Sequence, residues 1–299
     1  MTAIARRLTE RIAAIADRYS LVGIALDAFT RFNAHEAMAR AAAIAYYSIL
    51  SLFPFAIVAL VAASFLIPQG PELDAFVNRV AEAFALETEA VFEALEAFEE
   101  GRLVFALVGI GLLLVALLPW VSAVQRGIVR AFEEERRSYV RTTLSSLLLL
   151  GLAAILILLA GAWGSLLNLV IGLLDRFLPE LALVDVTLSV AASLLPTLVV
   201  FGVMTALLRA IPAQDPAFRE VWLGALVTAL GFLGLSLLFD WYVQAFVADS
   251  GNATGPFGAI LVGLLYIDFL AIAMLAGAEV AAATTRRHRA ARAQPEPTS

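Results

Sequence analysis

The acidic side chains most able to do chemistry in this sequence stand inside long apolar stretches. Asp268 lies near the middle of such a stretch, and Glu279 lies near its end. An ionised aspartate at the centre of a bilayer costs about 2.5–3.5 kcal/mol, so it should be paired, protonated or turned towards a cavity. We therefore expect Asp268 either to couple proton or cation movement or to be a neutral, hydrogen-bonded structural residue. Glu279 is the weaker candidate, because its position predicts a side chain within reach of water.

A second polar group occurs early in the chain, where tyrosines and serines precede a proline. Ser48 and Ser51 share one helical face, and Tyr46 and Tyr47 stand directly before them. Pro54 frees the carbonyl of the fourth residue before it from its helical partner, and a nearby serine hydroxyl can satisfy such a carbonyl. The pattern favours either a polar substrate pathway or a kinked helix whose small residues pack against neighbouring helices.

A similar string recurs later in the sequence. Ser193-Leu-Leu-Pro196 resembles Ser51-Leu-Phe-Pro54, and each proline lies inside a long apolar stretch. The two stretches would cross a membrane in opposite directions, so a true repeat would be inverted, as in many secondary transporters. Pro196 is therefore included among the candidate pathway residues, although such strings also arise by chance in a leucine-rich chain.

Residues for most enzyme chemistries are missing. The chain has no cysteine and only two histidines, His35 and His288, which stand near opposite ends. A metal centre that needs several imidazoles or thiolates cannot be built from this set, and no nucleophile-elbow, phosphate-loop or zinc-protease motif occurs. The net charge of −6 gives no support to nucleic-acid binding. We predict no catalytic residue, metal or cofactor.

Membrane-spanning helices must position the candidate residues, because the composition excludes a soluble protein. Of the 299 residues, 62% are hydrophobic and only 15% are charged, whereas soluble domains have about a quarter charged residues. A span needs about 20 mainly apolar residues. Six stretches meet this length: about 41–67, 103–123, 143–164, 182–208, 221–246 and 256–281. The predicted fold class is all-α, a six-span transmembrane bundle over residues 41–283.

The basic residues predict the orientation of these spans. All 20 are arginines, and 17 fall at the N-terminus, the C-terminus or the loops on the same side, leaving only Arg79, Arg102 and Arg176 on the other. Arginine-rich segments stay in the cytoplasm. The sequence therefore predicts a multi-pass protein of the cell membrane with both termini cytoplasmic.

Three segments flank or connect the spans. Residues 1–40 are predicted to form a cytoplasmic amphipathic segment, which lies on the inner leaflet or packs on the ends of the bundle. Residues 68–101 are acidic, and their apolar residues keep helical spacing, which predicts two short helices capping the outer mouth. Residues 284–299 are predicted to be a disordered cytoplasmic tail.

Several strings in the chain together resemble a known family. The most specific is Ala41-Ala-Ala-Ile-Ala-Tyr-Tyr-Ser-Ile-Leu-Ser-Leu-Phe-Pro54, preceded by Arg31-Phe32. Further matches are Trp120, Arg130-Ala-Phe132, Leu195-Pro196, Arg209-Ala-Ile-Pro212, Trp222-Leu-Gly-Ala225, Gly255-Pro-Phe-Gly258 and Gly277-Ala-Glu279. The chain in this way resembles the YihY/virulence factor BrkB family over about residues 30–283.

The resemblance implies a six-span protein of the bacterial inner membrane or the archaeal plasma membrane, without a settled activity. Members have been labelled ribonuclease BN, but a metal-dependent nuclease needs a histidine-rich site that this sequence lacks. The chain also departs from the family pattern, because Tyr266-Ile-Asp268 stands where a Trp-x-Tyr-like pair is usual. Asp268 is therefore not carried over as a family site.

The sequence favours transport or export of a small solute or lipid-like substrate through the bundle. The second hypothesis is a non-transporting envelope protein that organises partners, and the third is an intramembrane enzyme. The expected partners are the lipid bilayer and a small-molecule or lipid substrate, with no nucleic acid, and an oligomer is compatible with the sequence. A central polar cavity at Tyr46, Ser48 and Ser51 would favour transport, whereas a dry core would favour the structural role.

The predicted orientation can be tested by labelling, because the chain contains no cysteine. A single cysteine in the Glu93→Cys variant should react with a membrane-impermeant maleimide added to the outside of intact cells. Labelling of this cysteine only from the cytoplasmic side would contradict the orientation.

Overall fold

The computed structural model describes residues 20–66, 70–83, 88–133, 151, 182–247 and 255–293. Over these residues the chain is helical and has no strand. The seven helices are α1 (Ser20–Ala34), α2 (Ala37–Leu66), α3 (Pro71–Ala83), α4 (Thr88–Ala131), α5 (Ala182–Ala210), α6 (Phe218–Tyr242) and α7 (Gly255–Ala293), and a π-helical segment, Val243–Val247, continues α6. The predicted all-α class is confirmed for this part of the chain.

Four helical stretches of the described chain are long and apolar enough to cross a membrane. They are Ala37–Ala56, Leu114–Ala131, Phe218–Ala245 and Leu261–Ala290, and a shorter apolar stretch is Leu194–Ala210. The predicted span at 143–164 and the amphipathic stripe from Leu8 to Tyr19 lie outside the described residues. The structure therefore supports a polytopic membrane protein with at least these four stretches.

The longest helix differs from the sequence-based expectation. Two separate short helices were expected in the outer segment, but only the first exists as such, as α3. The second is continuous with the following span, so that α4 has 44 residues and a length of about 66 Å, roughly twice the thickness of a bilayer core. No proline interrupts the helix before Pro119, and a lone Gly101 costs only about 1 kcal/mol in a helix. The change from acidic to apolar composition therefore does not mark the end of a helix.

The short helix α3 packs on the outer half of α2. Val77 and Ala81 are completely buried and contact Leu60, and Leu73 and Phe76 pack around them. These apolar residues recur at helical spacing, and Asp74 lies on an exposed face. The acidic segment is thus anchored to the bundle by an apolar stripe.

The main core lies at the end of the bundle that holds α1 and the C-terminus of α7, here named the inner end. Its members come from α2, α4, α5, α6 and α7, and its largest fully buried side chains include Ile128, Leu208, Ile211 and Val221. Many of the others are alanines, which let helix backbones approach closely. At the same end α1 packs on α7 through Ile24, Ala28 and Ala283.

Two glycines set the closest helix contact, between α6 and α7. A Cβ atom added to Gly224 would lie 2.6 Å from the Ala281 Cβ and closer still to the Gly277 carbonyl. A Cβ atom added to Gly277 would overlap the Thr228 hydroxyl, which donates to the Gly224 carbonyl at 3.2 Å. Because both neighbours include backbone atoms, the two helices pack backbone against backbone at this crossing.

Replacing one of these glycines should destabilise the protein. In the Gly277→Ala variant the added methyl group must push α6 and α7 apart, at a cost of about 1–3 kcal/mol. The matched control is Gly263→Ala, also on α7, where nothing lies within 4 Å of the added Cβ and alanine should stabilise a helix by about 0.5–1 kcal/mol. The thermal unfolding temperature in detergent should therefore fall for the Gly277→Ala variant only. Equal behaviour of the two variants would contradict the close crossing.

Candidate functional site

A sharp corner between α1 and α2 directs the first functional side chain into the bundle. The His35 N–H donates to the Arg31 carbonyl at 2.7 Å, and Glu36 adopts a left-handed conformation with φ of 53°. This turn ends α1 at Ala34, and α2 begins at Ala37 after the two residues His35 and Glu36. The His35 side chain consequently points inward and is only 7% exposed.

His35 lies between two carboxylates from distant parts of the chain. Its Nδ1 atom is 2.7 Å from the Glu279 Oε1 on α7, and its Nε2 atom is 3.3 Å from the Glu133 Oε1 just after α4. Glu279 is 2% exposed, so the prediction that it lies within reach of water is wrong. A buried carboxylate needs a partner, and the imidazole at the α1–α2 corner provides it.

Arginines and a further aspartate extend this pair into a network. Arg31 forms an ion pair with Glu133 and bonds through its Nε atom to the Asp27 Oδ1 at 2.9 Å. Arg286 bonds to the Asp27 Oδ2 at 2.9 Å and donates to the Ala131 carbonyl at 3.3 Å. We name this set the inner charged cluster; its side chains are Asp27, Arg31, His35, Glu133, Glu279 and Arg286.

The electrostatics of Asp27 show how strongly the arginines act. Burial raises the pKa of the Asp27 carboxyl, but hydrogen bonds and charge attraction from Arg286 and Arg31 outweigh it and hold the pKa below its ordinary value. Asp27 is therefore ionised at neutral pH. It links α1 to α7 through its charged hydrogen bond with Arg286, while Arg31 holds it from within α1, and such charged hydrogen bonds are stronger than neutral ones.

Two carboxylates on α7 each have one oxygen without a partner among the described residues. They are the Oε2 of Glu279 and the Oδ1 of Asp268, and both atoms are buried. Eleven residues separate them, which is about three helical turns, so they lie on the same side of α7 about 16 Å apart. Such atoms can accept a proton or a hydrogen bond from a ligand. The described residues hold no group of three His, Cys, Asp or Glu side chains arranged for a metal ion.

The hydroxyls of α2 are satisfied within their own helix. The Ser48 hydroxyl donates to the Ile44 carbonyl at 2.8 Å, and the Ser51 hydroxyl donates to the Ser48 carbonyl at 2.7 Å. Tyr46 is 60% exposed and packs edge-on against Tyr47, with ring centroids 5.4 Å apart. The two hydroxyls are therefore bonded within α2, and Tyr46 lies on the surface.

The two prolines interrupt neither of the helices that contain them. Pro54 is half-buried within α2, and Pro196 is exposed within α5. Because Ser51 donates to the carbonyl of Ser48, it does not serve the carbonyl that Pro54 frees. The structure thus places the prolines in continuous helices and away from the inner charged cluster.

An apolar groove opens between α6 and α7 on the other side of their glycine crossing. It encloses about 220 Å³, and its walls are Leu235, Leu238, Phe239, Trp241, Tyr242, Val262, Leu265, Tyr266 and Phe269. Phe239 and Tyr266 stack across it with centroids 4.4 Å apart. Asp268 follows the wall residue Tyr266 by two positions, which turns it to a different face of α7, and it is not part of the groove wall.

Sequence reasoning missed most of the inner charged cluster. Its arginines were interpreted as markers of topology, and His35 only as one of two histidines that are too few for a metal centre. The one local signal was the four-residue spacing of Asp27 and Arg31, which places the two side chains on one face of a helix. The partners of His35 lie 98 and 244 residues away in sequence, where no spacing rule applies.

Asp27 should make a pH-dependent contribution to stability. Its lowered pKa means that the ion pairs stabilise the fold above its ordinary value of 3.8 and that this contribution is lost as the pH falls below it. Asp27→Asn should therefore cost about 1 kcal/mol at neutral pH, a modest value because the pair is partly solvated. Thermal unfolding of wild type and variant should converge at low pH and in high salt. A difference independent of pH would contradict this account.

Comparison with known proteins identifies relatives that cover most of the chain. A family model described as virulence factor BrkB matches residues 28–299. A Bacillus subtilis (strain 168) protein named as ribonuclease-like, YfkH, is 27% identical over 274 residues, which cover 88% of this chain and 95% of the relative. An uncharacterized protein of Dickeya dadantii (strain 3937) is 26% identical over 248 residues, 77% of this chain and 72% of the relative. No solved structure matches at a significant level.

The family match confirms the resemblance on which the sequence analysis relied, and it includes both the inner charged cluster from Arg31 onward and the groove between α6 and α7. The chain belongs to the virulence factor BrkB family.

Proposed function

We propose that this protein transports a small amphiphilic, lipid-like substrate across the cell membrane, through a six-span bundle with both termini in the cytoplasm. The observation that carries the proposal is the groove between α6 and α7. Its nine wall residues are all apolar or aromatic, and the backbones of the two helices come closest outside it, at Gly224 and Gly277. An apolar cleft that opens beside a fixed crossing suits a hydrocarbon chain.

The size and position of the groove favour a substrate with one slender apolar part. Its volume of about 220 Å³ is below the roughly 300 Å³ typical of pockets for drug-sized molecules. The wall residues Leu265 and Trp241 are more than half exposed on the lipid-facing surface. A chain could therefore enter sideways from the bilayer rather than from water.

Asp268 supports the amphiphilic part of the proposal. It lies on α7, the helix that supplies four residues of the groove wall, and its Oδ1 atom is buried without a partner among the described residues. A polar group inside a membrane is costly and therefore marks a functional position by default. We therefore propose Asp268 as the residue of α7 that meets the polar part of the substrate.

The exposed arginines support the proposed orientation. Arg126, Arg130, Arg209 and Arg219 are all exposed, and all lie near the inner end of the bundle. Trp222 is also exposed and lies near the inner end of the bundle. Arginines on the cytoplasmic side and aromatic residues at the interface are typical of inner membrane proteins.

A non-transporting envelope role is the second candidate, and one observation favours it. The inner core is closely packed, and α4 extends about 66 Å, so that it reaches well beyond a bilayer core. Such a projecting helix suits the contact of a partner. Ribonuclease activity, which the name of the Bacillus relative suggests for that protein, is not proposed, because this chain has two histidines and one of them, His288, is exposed.

Filling the groove should slow transport. Purified protein in liposomes would be assayed with a fluorescent phospholipid analogue whose movement between leaflets is followed by chemical quenching. Leu265→Trp places a larger side chain in the groove. It should lower the rate of transport about tenfold, as expected if about 1.4 kcal/mol of substrate binding is lost. Leu237→Trp is the matched control, since Leu237 is an equally exposed leucine of α6 outside the groove.

The two candidate functions predict different results in this assay. If the protein is a scaffold, the wild type moves the analogue no faster than protein-free liposomes do. Equal loss of rate in both tryptophan variants would show that the groove is not the path.

A further inference from the structure

The His35–Glu279 pair stands at the meeting point of three elements. His35 belongs to the α1–α2 corner, Glu279 to α7, and Glu133 follows α4. The side chains of His35 and Glu279 are 7% and 3% exposed, whereas that of Glu133 is 42% exposed. The imidazole therefore connects a buried carboxylate with one that reaches water.

The contacts of the ring depend on its protonation. A protonated imidazole has an N–H on both nitrogens and can donate to Glu279 and Glu133 together. A neutral imidazole has one N–H, so one nitrogen lone pair must face a carboxylate oxygen. Loss of the proton thus replaces one hydrogen bond by repulsion at the corner.

The remaining charges around the pair have their own partners. Arg31 pairs with Glu133 and Asp27, and Arg286 pairs with Asp27. Arg40 donates to the His35 carbonyl at 2.9 Å, a contact that does not involve the ring. Once the imidazole proton has passed to water, each arginine again has an ionised carboxylate partner.

We propose that the His35–Glu279 pair is a proton-binding site, open to the water at the inner end through Glu133, whose release of a proton loosens the α1–α2 corner from α7. The proton passes from the ring Nε2 to the Glu133 carboxylate and then to water, and no other covalent bond changes. The Oε2 atom of Glu279 is buried without a partner among the described residues. It gives the pair a second place that can hold a proton. This inference is independent of the proposed transport.

The composition of the chain makes the proton directly observable. Of the two histidines, His288 is exposed, so the His288→Gln variant leaves His35 as the only imidazole. Nuclear magnetic resonance of this variant, labelled with ¹⁵N-histidine in nanodiscs, reports whether each ring nitrogen carries a proton as the pH is changed. This measurement leaves the pair itself unaltered.

The movement of the corner needs a second measurement on the cysteine-free background. Spin labels at Ala25→Cys on α1 and Ala290→Cys on α7, both exposed positions at the inner end, report the spacing of the two helices. As the pH rises, we expect the His35 ring to change from doubly to singly protonated. Over the same pH range, the distance between the two spin labels should increase. Glu279→Gln should abolish this pH response, whereas Glu36→Gln, an exposed acid of the same corner, should preserve it.

Three results would overturn the proposal. His35 would keep one protonation state over the whole range in which the protein is folded, or the label spacing would stay constant while the ring titrates. Alternatively, the spacing of the Glu279→Gln variant would change at the same pH as in the wild type. No substrate is present in these experiments, so their failure is distinct from failure of the liposome assay.

Discussion

The burial of one carboxylate, that of Glu279, constrains the inner end of this protein. An ionised group removed from water costs several kcal/mol unless it is paired, and removal of its partner costs about 3–5 kcal/mol. The partner is His35, which reaches it only because the chain turns sharply at Glu36. The corner in turn positions Arg31 for Glu133 and Asp27 for Arg286. The need of Glu279 on α7 for a partner thus fixes the position of α1.

Packing divides the α6–α7 pair into two regions with different physical character. At Gly224 and Gly277 the backbones touch, and only small residues fit. On the far side of this crossing the same helices carry leucines and aromatic rings, which hold the backbones apart and leave a groove. The fixed crossing and the open groove follow from one feature, the change from small to large residues along each helix.

The sequence predicted those features that local patterns determine. Long apolar runs predicted helices of membrane-spanning length, and four of them are present in the described chain. The pairing of His35 with Glu279 was beyond such reasoning, because it joins residues 244 positions apart. The continuity of α4 was missed for a different reason. An acidic, glycine-containing stretch resembles a loop in composition, yet no proline interrupts the helix there.

The difference between hydroxyls and carboxylates explains which sequence candidates belong together in the structure. A serine hydroxyl inside a helix can donate to a carbonyl one turn earlier, as Ser48 and Ser51 do, and so needs no partner from another helix. A carboxylate has no donor of its own and cannot accept from helix N–H groups that are already bonded. Glu279 must therefore recruit His35, and Asp268 keeps one oxygen that the described residues leave unpaired. The positions of Glu279 and Asp268 on α7 consequently depend on contacts beyond their own helix, whereas those of Ser48 and Ser51 do not.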